Sequence, residues 1–317
     1  MKNISKFISC DWGTSNLRLR LVDTHSMRVI KEVKTNDGIK KIFNQYKQLS
    51  SLSQFDYFKS FLQNTLKSNG FSTESSDYIV ASGMVTSSIG MMELPYAEMP
   101  INYNSPSIIT KKIELENGMN LLLISGVRST DSIMRGEEVQ ALGLCQYMTT
   151  DQKNGVTILP GSHSKHIFSS ENQFESFKSY MTGELFDLLA NQSILSNNVE
   201  YSPWSEKYKK SFLKGVALGM EGGLSANIFS IRANEIFGNI DKKANFHQLS
   251  GLLIGDELSY LSKYPLNINI ASDEPLLTMY KNAITFMNLL PKTTFFYGEK
   301  LQQAIILGQL NILKHHV

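Results

Sequence analysis

The stretch Phe7-Ile8-Ser9-Cys10-Asp11-Trp12-Gly13-Thr14-Ser15-Asn16-Leu17-Arg18-Leu19-Arg20-Leu21 constrains the fold more than any other. Phe7 and Ile8 open an apolar β run. Leu17, Leu19 and Leu21 alternate with Arg18 and Arg20, the period-2 pattern of a half-buried strand. Between the strands lies a turn of Gly13, Thr14, Ser15 and Asn16, with Asp11 at its mouth. Glycine lets a backbone approach a bulky anion, and the N–H groups and hydroxyls of such a turn can cradle phosphate. A carboxylate just before it can hold Mg²⁺ through water. An ordinary hairpin with a polar turn uses the same residue types, so the pattern alone leaves both readings open.

A second copy follows. Val156-Thr157-Ile158-Leu159 reads as a strand, Pro160-Gly161-Ser162-His163-Ser164 as a turn and Lys165-His166-Ile167-Phe168 as a strand. Here too a hydroxyl residue follows the glycine. His163 and Lys165 replace the acidic decoration. Lys165 suits phosphate as a point charge, whereas a turn histidine that bonds locally accounts for His163 equally well. Two such units, each opening its own half, point to a duplicated α/β chain.

Composition bounds the rest. A chain of 317 residues with 42% hydrophobic residues has room for about two ordinary cores. Its 31 basic and 29 acidic residues leave a net charge of +2, and no stretch clusters Lys and Arg as a nucleic-acid groove would. Cys10 and Cys145 have no metal or redox spacing, which suits reduced thiols in a cytoplasmic protein. The amino-terminus has no apolar signal-peptide core, and no run is long enough to span a membrane.

Between the copies, one helical pattern covers residues 40–67, with Phe55, Phe58, Phe61, Leu62 and Leu66 on a common face. Tyr78-Ile79-Val80-Ala81 is a strand running into Ser82-Gly83-Met84, a small-residue loop of the kind that binds ligands in α/β sheets. Leu121-Leu122-Leu123-Ile124 is another strand. After it come Arg128, Asp131, Met134-Arg135-Gly136-Glu137-Glu138 and a helix. Acidic residues suit a helix start. Arginines arriving with them suggest an anionic ligand with a base nearby. In the second half, Thr182 reads as the cap of a helix from Leu185 to Gln192. A glycine-rich helix is expected over residues 206–230 and another over 246–261. A strand at Ile268-Asn269-Ile270-Ala271 precedes the turn Ser272-Asp273-Glu274-Pro275.

This order resembles the actin/hexokinase/heat-shock-chaperone ATPase superfamily. Six motifs narrow it: Asp11-Trp12-Gly13-Thr14-Ser15-Asn16-Leu17-Arg18, Ser82-Gly83-Met84-Val85, Met134-Arg135-Gly136-Glu137-Glu138, Leu159-Pro160-Gly161-Ser162-His163-Ser164-Lys165, Met181-Thr182-Gly183-Glu184-Leu185 and Ser250-Gly251-Leu252-Leu253-Ile254-Gly255. Together they resemble the 2-dehydro-3-deoxygalactonokinase family from about Ile8 to Leu261. The resemblance implies an α/β chain of two ribonuclease-H-like (actin-like ATPase) domains with an interdomain cleft. The expected boundaries are residues 1–153 and 154–298, with a helix over 299–317 packing back on the first domain.

The resemblance also implies an ATP-dependent kinase, with Mg²⁺, for the 6-hydroxyl of 2-dehydro-3-deoxy-D-galactonate in galactonate catabolism. Asp11, Gly13, Thr14, Ser15 and Asn16 would form the first phosphate and metal loop, and Gly161, Ser162 and His163 the second. Glu137 takes the place of the catalytic carboxylate, with Glu138, Asp131 and Asp11 as alternatives. Arg18, Met84, Arg135 and Lys165 fall on the substrate side. The family usually carries a glycine in the turn near the adenine, where this chain has Ala271-Ser272-Asp273-Glu274-Pro275. A kinase for another sugar acid or ketose and an inactive sensor of the same fold are the alternatives. The expected partner is a small sugar acid, with no nucleic acid or membrane, and a homodimer is an open expectation.

Overall fold

The computed structural model describes residues 4–49, 51–72, 76–104, 106–116, 118–264 and 267–316. The first three residues of the amino-terminus and residue 317 of the expected last helix lie outside these. The chain divides into two compact units. One comprises Met1–Met148, Asn172–Ser176 and Glu299–Val317, and the other Thr149–Glu171 and Phe177–Gly298.

The first unit opens with β1 (Lys6–Trp12), β2 (Leu17–Asp23) and β3 (Val29–Thr35), an antiparallel meander. Helices α1 (Ile39–Leu49) and α2 (Gln54–Ser68) follow. The single helical pattern expected over 40–67 is thus two helices. The break falls where the Ser53 side chain accepts the N–H of Asp56 and caps the second helix. Then come β4 (Tyr78–Gly83), β5 (Thr110–Glu114), β6 (Asn120–Ile124) and α3 (Glu137–Leu144). The sheet order is β3-β2-β1-β4-β6-β5, with β1, β4 and β6 parallel. Cys10, Trp12, Leu17, Leu19, Phe58, Leu62 and Leu66 are among the buried residues of one core cluster.

The second unit repeats the plan with β7 (Gly155–Leu159), β8 (Ser164–Ser170), β9 (Gln173–Tyr180, whose first four residues group with the first unit) and α4 (Thr182–Gln192). Helices α5 (Lys209–Glu221), α6 (Leu224–Ile236) and α7 (Lys242–Leu258) follow. Last come β10 (Asn267–Ala271), α8 (Leu276–Phe286) and β11 (Thr293–Phe296). The order here is β11-β10-β7-β8-β9. In the second unit the third, second, first, fourth and fifth strands lie side by side, and the first unit follows the same plan with β6 beside β4 and the antiparallel β5 added at the edge, a ribonuclease-H-like arrangement. The single helix expected over 206–230 is interrupted, because Gly222 and Gly223 sit at φ 84° and 71° and turn the chain between α5 and α6. The 246–261 helix starts four residues earlier than expected, where the Asp241 side chain accepts the N–H of Ala244.

Glycines bring helices into backbone contact in both units. In α5 and α7, Gly215, Gly219, Gly251 and Gly255 face the partner helix so closely that a Cβ on any of them would strike its backbone. In the first unit Gly143 of α3 and Gly308 of α9 (Glu299–Lys314) do the same at the carbonyls of Ala304 and Val139. No helix among the described residues is long and apolar enough to cross a membrane.

Gly251→Ala places its methyl group against the Phe212 carbonyl, with no flexible side chain to yield. The expected cost is about 1–3 kcal/mol, read as a drop of several degrees in the unfolding midpoint. An unchanged midpoint would show that α5 and α7 can separate freely.

Candidate functional site

The first glycine turn is built from the inside. Gly13 N–H donates to the Asn16 carbonyl at 3.0 Å. The carbonyls of Gly13, Thr14 and Ser15 then accept the N–H groups of Ile39, Lys40 and Gly38 at 3.0–3.2 Å. Carbonyl oxygens, which would repel a phosphate, are thereby turned toward α1. Thr14, Ser15 and Asn16 remain exposed, so hydroxyl and amide groups face outward. Gly38 makes this possible, since a Cβ there would overlap Thr14 and Ser15 backbone atoms. Sequence reasoning passed over Gly38 because its partner lies more than twenty positions away.

Trp12 fixes the same corner. Its indole N–H donates to the Asp37 carbonyl at 2.8 Å, and its ring lies 5.6 and 5.9 Å from those of Phe58 and Phe61. Asp11 sits opposite Arg18 on β2 and beside Ser82 on β4. Burial raises its carboxyl above the usual range, and the charges of Arg18 and Arg20 oppose that rise. No hydrogen bond or ion pair reaches this carboxylate among the described residues. A partly buried carboxylate without a side-chain partner among the described residues fits a hydrated divalent cation, which binds one or two carboxylates and fills its shell with water and phosphate oxygens. The described residues hold no group of three or more metal-ligating His, Cys, Asp or Glu side chains.

Close backbone packing carries further candidates to this edge of the sheet. A Cβ on Gly83 would lie 2.8 Å from the Trp12 carbonyl, and one on Gly136 would lie 3.3 Å from Gly83 Cα. Half-buried Met84 follows Gly83, and Arg135 and Glu137 flank Gly136. Asp11, the 13–16 turn, Met84, Arg135 and Glu137 are thus assembled at the carboxyl ends of β1 and β4. Arg135 Nη1 donates to the hydroxyl of Thr86 at 2.7 Å and also to its carbonyl, and the guanidinium lies 4.3 Å from the Tyr96 ring centre. Its Nε is buried with no partner among the described residues. Arg128, by contrast, is exposed and ion-paired with Glu98. Asp131 is exposed beside Ser129.

Glu137 and Glu138 differ sharply. Glu138 is buried, and both its oxygens accept the N–H of Gly136, at 2.8 and 2.9 Å. Burial first, and then the charge of Glu137, push its carboxyl from 4.5 up to about 8. Glu137 is half-buried and accepts the Arg135 N–H at 2.9 Å.

In the second unit the 161–164 turn is clasped in the same way. Glu184 N–H donates to the Ser162 carbonyl at 3.1 Å, and a Cβ on Gly183 would lie 2.7 Å from the Gly161 carbonyl. Ser162 and His163 are exposed, and His163 Nε2 meets the Glu184 carboxylate. Thr182 does not cap α4 as expected. Its hydroxyl donates instead to the buried Glu257 carboxylate, and Met181 occupies the cap position without a side-chain bond. Lys165 is buried in β8, and strand alternation sends it to the opposite face from Ser164 and His166.

Beside this turn opens a cavity of about 480 Å³, of the size that small-molecule sites occupy. Gly161, Thr182 and Gly183 form one wall. Phe186, Tyr201, Trp204 and Phe246 supply aromatic surface, and Glu274, Pro275, Met279 and Tyr280 close the far side. The acidic residues of the 271–275 turn hold backbone. Asp273 accepts the Gly298 N–H at 2.7 Å, and Glu274 accepts the Thr278 hydroxyl at 2.8 Å.

A family model described as 2-keto-3-deoxy-galactonokinase matches residues 11–304. The chain is 25% identical over 293 residues to the 2-dehydro-3-deoxygalactonokinase of Escherichia coli K12, across 89% of this chain and 90% of that protein. It is 27% identical over 264 residues to a Rhizobium meliloti protein named as a candidate 2-dehydro-3-deoxygalactonokinase, across 82% and 81% of the two. A crystal structure of a candidate 2-dehydro-3-deoxygalactonokinase from Sinorhizobium meliloti shares the fold, with a TM-score of 0.79 at 24% identity over 97% of this chain and 96% of that one. Because the family match takes in both glycine turns and the α3 carboxylates, the chain belongs to the 2-keto-3-deoxy-galactonokinase family, whose members are kinases that phosphorylate an alcohol.

Proposed function

We propose that the protein transfers the terminal phosphoryl group of ATP, with Mg²⁺, to the 6-hydroxyl of 2-dehydro-3-deoxy-D-galactonate, as a step in galactonate breakdown. The family match over residues 11–304 carries this reading. The two clasped turns and the aromatic cavity beside the second support it.

Phosphoryl transfer depends on positioning and charge neutralisation more than on covalent chemistry by the protein. Thr14, Ser15 and Asn16 would offer donors to phosphate oxygens, as would Ser162 and His163, with Gly13 and Gly161 letting the backbone come close. The cavity beside Gly161 would take the nucleoside, its base against the aromatic surface. Asp11 would hold the cation, which supplies countercharge to the phosphates when bound. Glu137 would accept the proton of the sugar hydroxyl, since Glu138 is buried, folded onto Gly136 and neutral near pH 7. The unpartnered Arg135 Nε suits the substrate carboxylate, with Arg18 and Met84 at the same sheet edge. Lys165 is absent from the cavity wall and would act, if on substrate, from the other face of its sheet.

ADP release, coupled to a reporter and run over a panel of sugar acids and ketoses, tests the assignment. The expected result is turnover with 2-dehydro-3-deoxy-D-galactonate at a kcat/KM at least about tenfold above any other member. Faster turnover with another acceptor reassigns the substrate, and MgADP binding without turnover on any acceptor makes the protein a sensor.

Glu137→Gln is expected to lower kcat by about a hundredfold or more, with MgADP affinity nearly unchanged. Full turnover by this variant would remove Glu137 as the base. Glu138→Gln gives a different signature. A carboxyl raised in the folded state stabilises it fully at low pH and ceases to do so as pH climbs from about 4.5 toward 8. The wild-type unfolding midpoint is therefore expected to fall over that window, and Glu138→Gln to flatten the fall. Parallel pH profiles for the two proteins would contradict a neutral Glu138.

A further inference from the structure

A chain of buried hydrogen bonds runs beneath the second glycine turn, and nothing in the proposed chemistry uses it. At its centre is Glu257 of α7, 1% exposed. Its Oε1 lies 2.8 Å from His166 Nε2, and both its oxygens lie 2.9 Å from the Tyr280 hydroxyl. Its Oε2 also accepts the Thr182 hydroxyl. Tyr280 OH lies 3.2 Å from Ser164 Oγ, and Ser164 Oγ accepts the Gly161 N–H at 3.3 Å. On the far side, His166 Nδ1 lies 2.7 Å from Tyr260 OH.

The Thr182 and Tyr280 hydroxyls both donate to Glu257, which acts as the acceptor of this network. The Tyr280 oxygen then receives the Ser164 O–H. The Ser164 oxygen in turn receives the Gly161 N–H. His166 bridges Glu257 through Nε2 and Tyr260 through Nδ1. Burial keeps the Tyr280 and Tyr260 phenols protonated, in agreement with these roles.

Packing alone does not account for the arrangement. A buried polar cluster is costly to assemble, and replacing one with apolar residues of similar volume is often neutral or stabilising. Two arms of the network end on the parts that form the second turn. One passes through Tyr280 and Ser164 to Gly161. The other reaches Thr182, next to the glycine that presses on the Gly161 carbonyl.

We propose that Glu257 is a positioning residue that holds the 161–164 turn in its donor-outward shape through Tyr280 and Thr182, and so sets the affinity for the nucleotide's phosphates. This rests on the kinase reading above. Its chemistry requires an acceptor with no proton to give, because a carboxamide would present an N–H to Tyr280, Thr182 or His166 and reverse part of the chain.

The test uses the full chain, with MgADP affinity by calorimetry and separate KM values for ATP and the sugar acid. Glu257→Gln is expected to weaken MgADP binding and raise the ATP KM by about tenfold, with the sugar-acid KM within about twofold of wild type. Tyr280→Phe keeps the ring and loses only the hydroxyl, so it is expected to shift the same two quantities less. The double variant should bind MgADP no more weakly than Glu257→Gln alone, since both break one chain. If Glu257→Gln does not fold, Tyr280→Phe still decides. A lower unfolding midpoint with unchanged MgADP affinity would reduce the network to a structural one and overturn the proposal. Fully additive losses would also overturn it. A wild-type protein that does not bind MgADP would instead overturn the kinase reading itself.

Discussion

Both glycine turns depend on one constraint: the backbone at the start of the following helix presses directly on the turn. Gly38 does this at Thr14 and Ser15, and Gly183 at Gly161 and Ser162. In each case helix N–H groups take up turn carbonyls, which fixes which way the remaining polar groups point. A peptide unit cannot turn its carbonyl inward without turning its neighbours' N–H groups elsewhere. Donor-rich outer surfaces at these turns are therefore a consequence of inner hydrogen bonding, before any ligand is considered. The two units share this device although their decorations differ, with Asp11 beside one turn and the His163–Glu184 pair on the other.

Glycine also sets the helices behind the turns. The α5–α7 pair in one unit and the α3–α9 pair in the other meet at backbone distance. Such seams forbid sliding by even a methyl group, since interiors are close-packed and respond to small volume changes. What they hold is informative. The α3 helix begins with Glu137, and α7 carries Glu257 about two turns from Ser250, which lines the cavity, and from Gly251 of the seam. Each unit thus presents a carboxylate from a helix that cannot shift relative to its partner.

How much of this the sequence revealed follows the range of each interaction. The β1–β2 turn and its echo were legible because strand alternation and turn residues are local signals. Gly38 was not, because its reason lies in backbone atoms far along the chain. Thr182 looked like a helix cap by position, yet a buried carboxylate from α7 took its hydroxyl, a competition no local pattern registers. The 206–230 stretch reads as one helix because Gly215, Gly219, Gly222 and Gly223 lie near helical spacing, yet positive φ at Gly222 and Gly223 breaks it. Glu257 follows Asp256 and His166 follows Lys165, so neither stands out locally, and only the folded chain reveals that they meet.

The adjacent pair Glu137 and Glu138 condenses the physical logic of the site. Two identical carboxyls one residue apart on a helix start must point in different directions, and so acquire different surroundings. The inward one loses water and feels its neighbour's charge, so it keeps a proton and serves the backbone at Gly136. The outward one stays half-buried and accepts the Arg135 N–H at the start of α3, where the positive end of the helix favours negative charge. Separating the environments of two like groups thus gives one residue type two different settings, chiefly by burial.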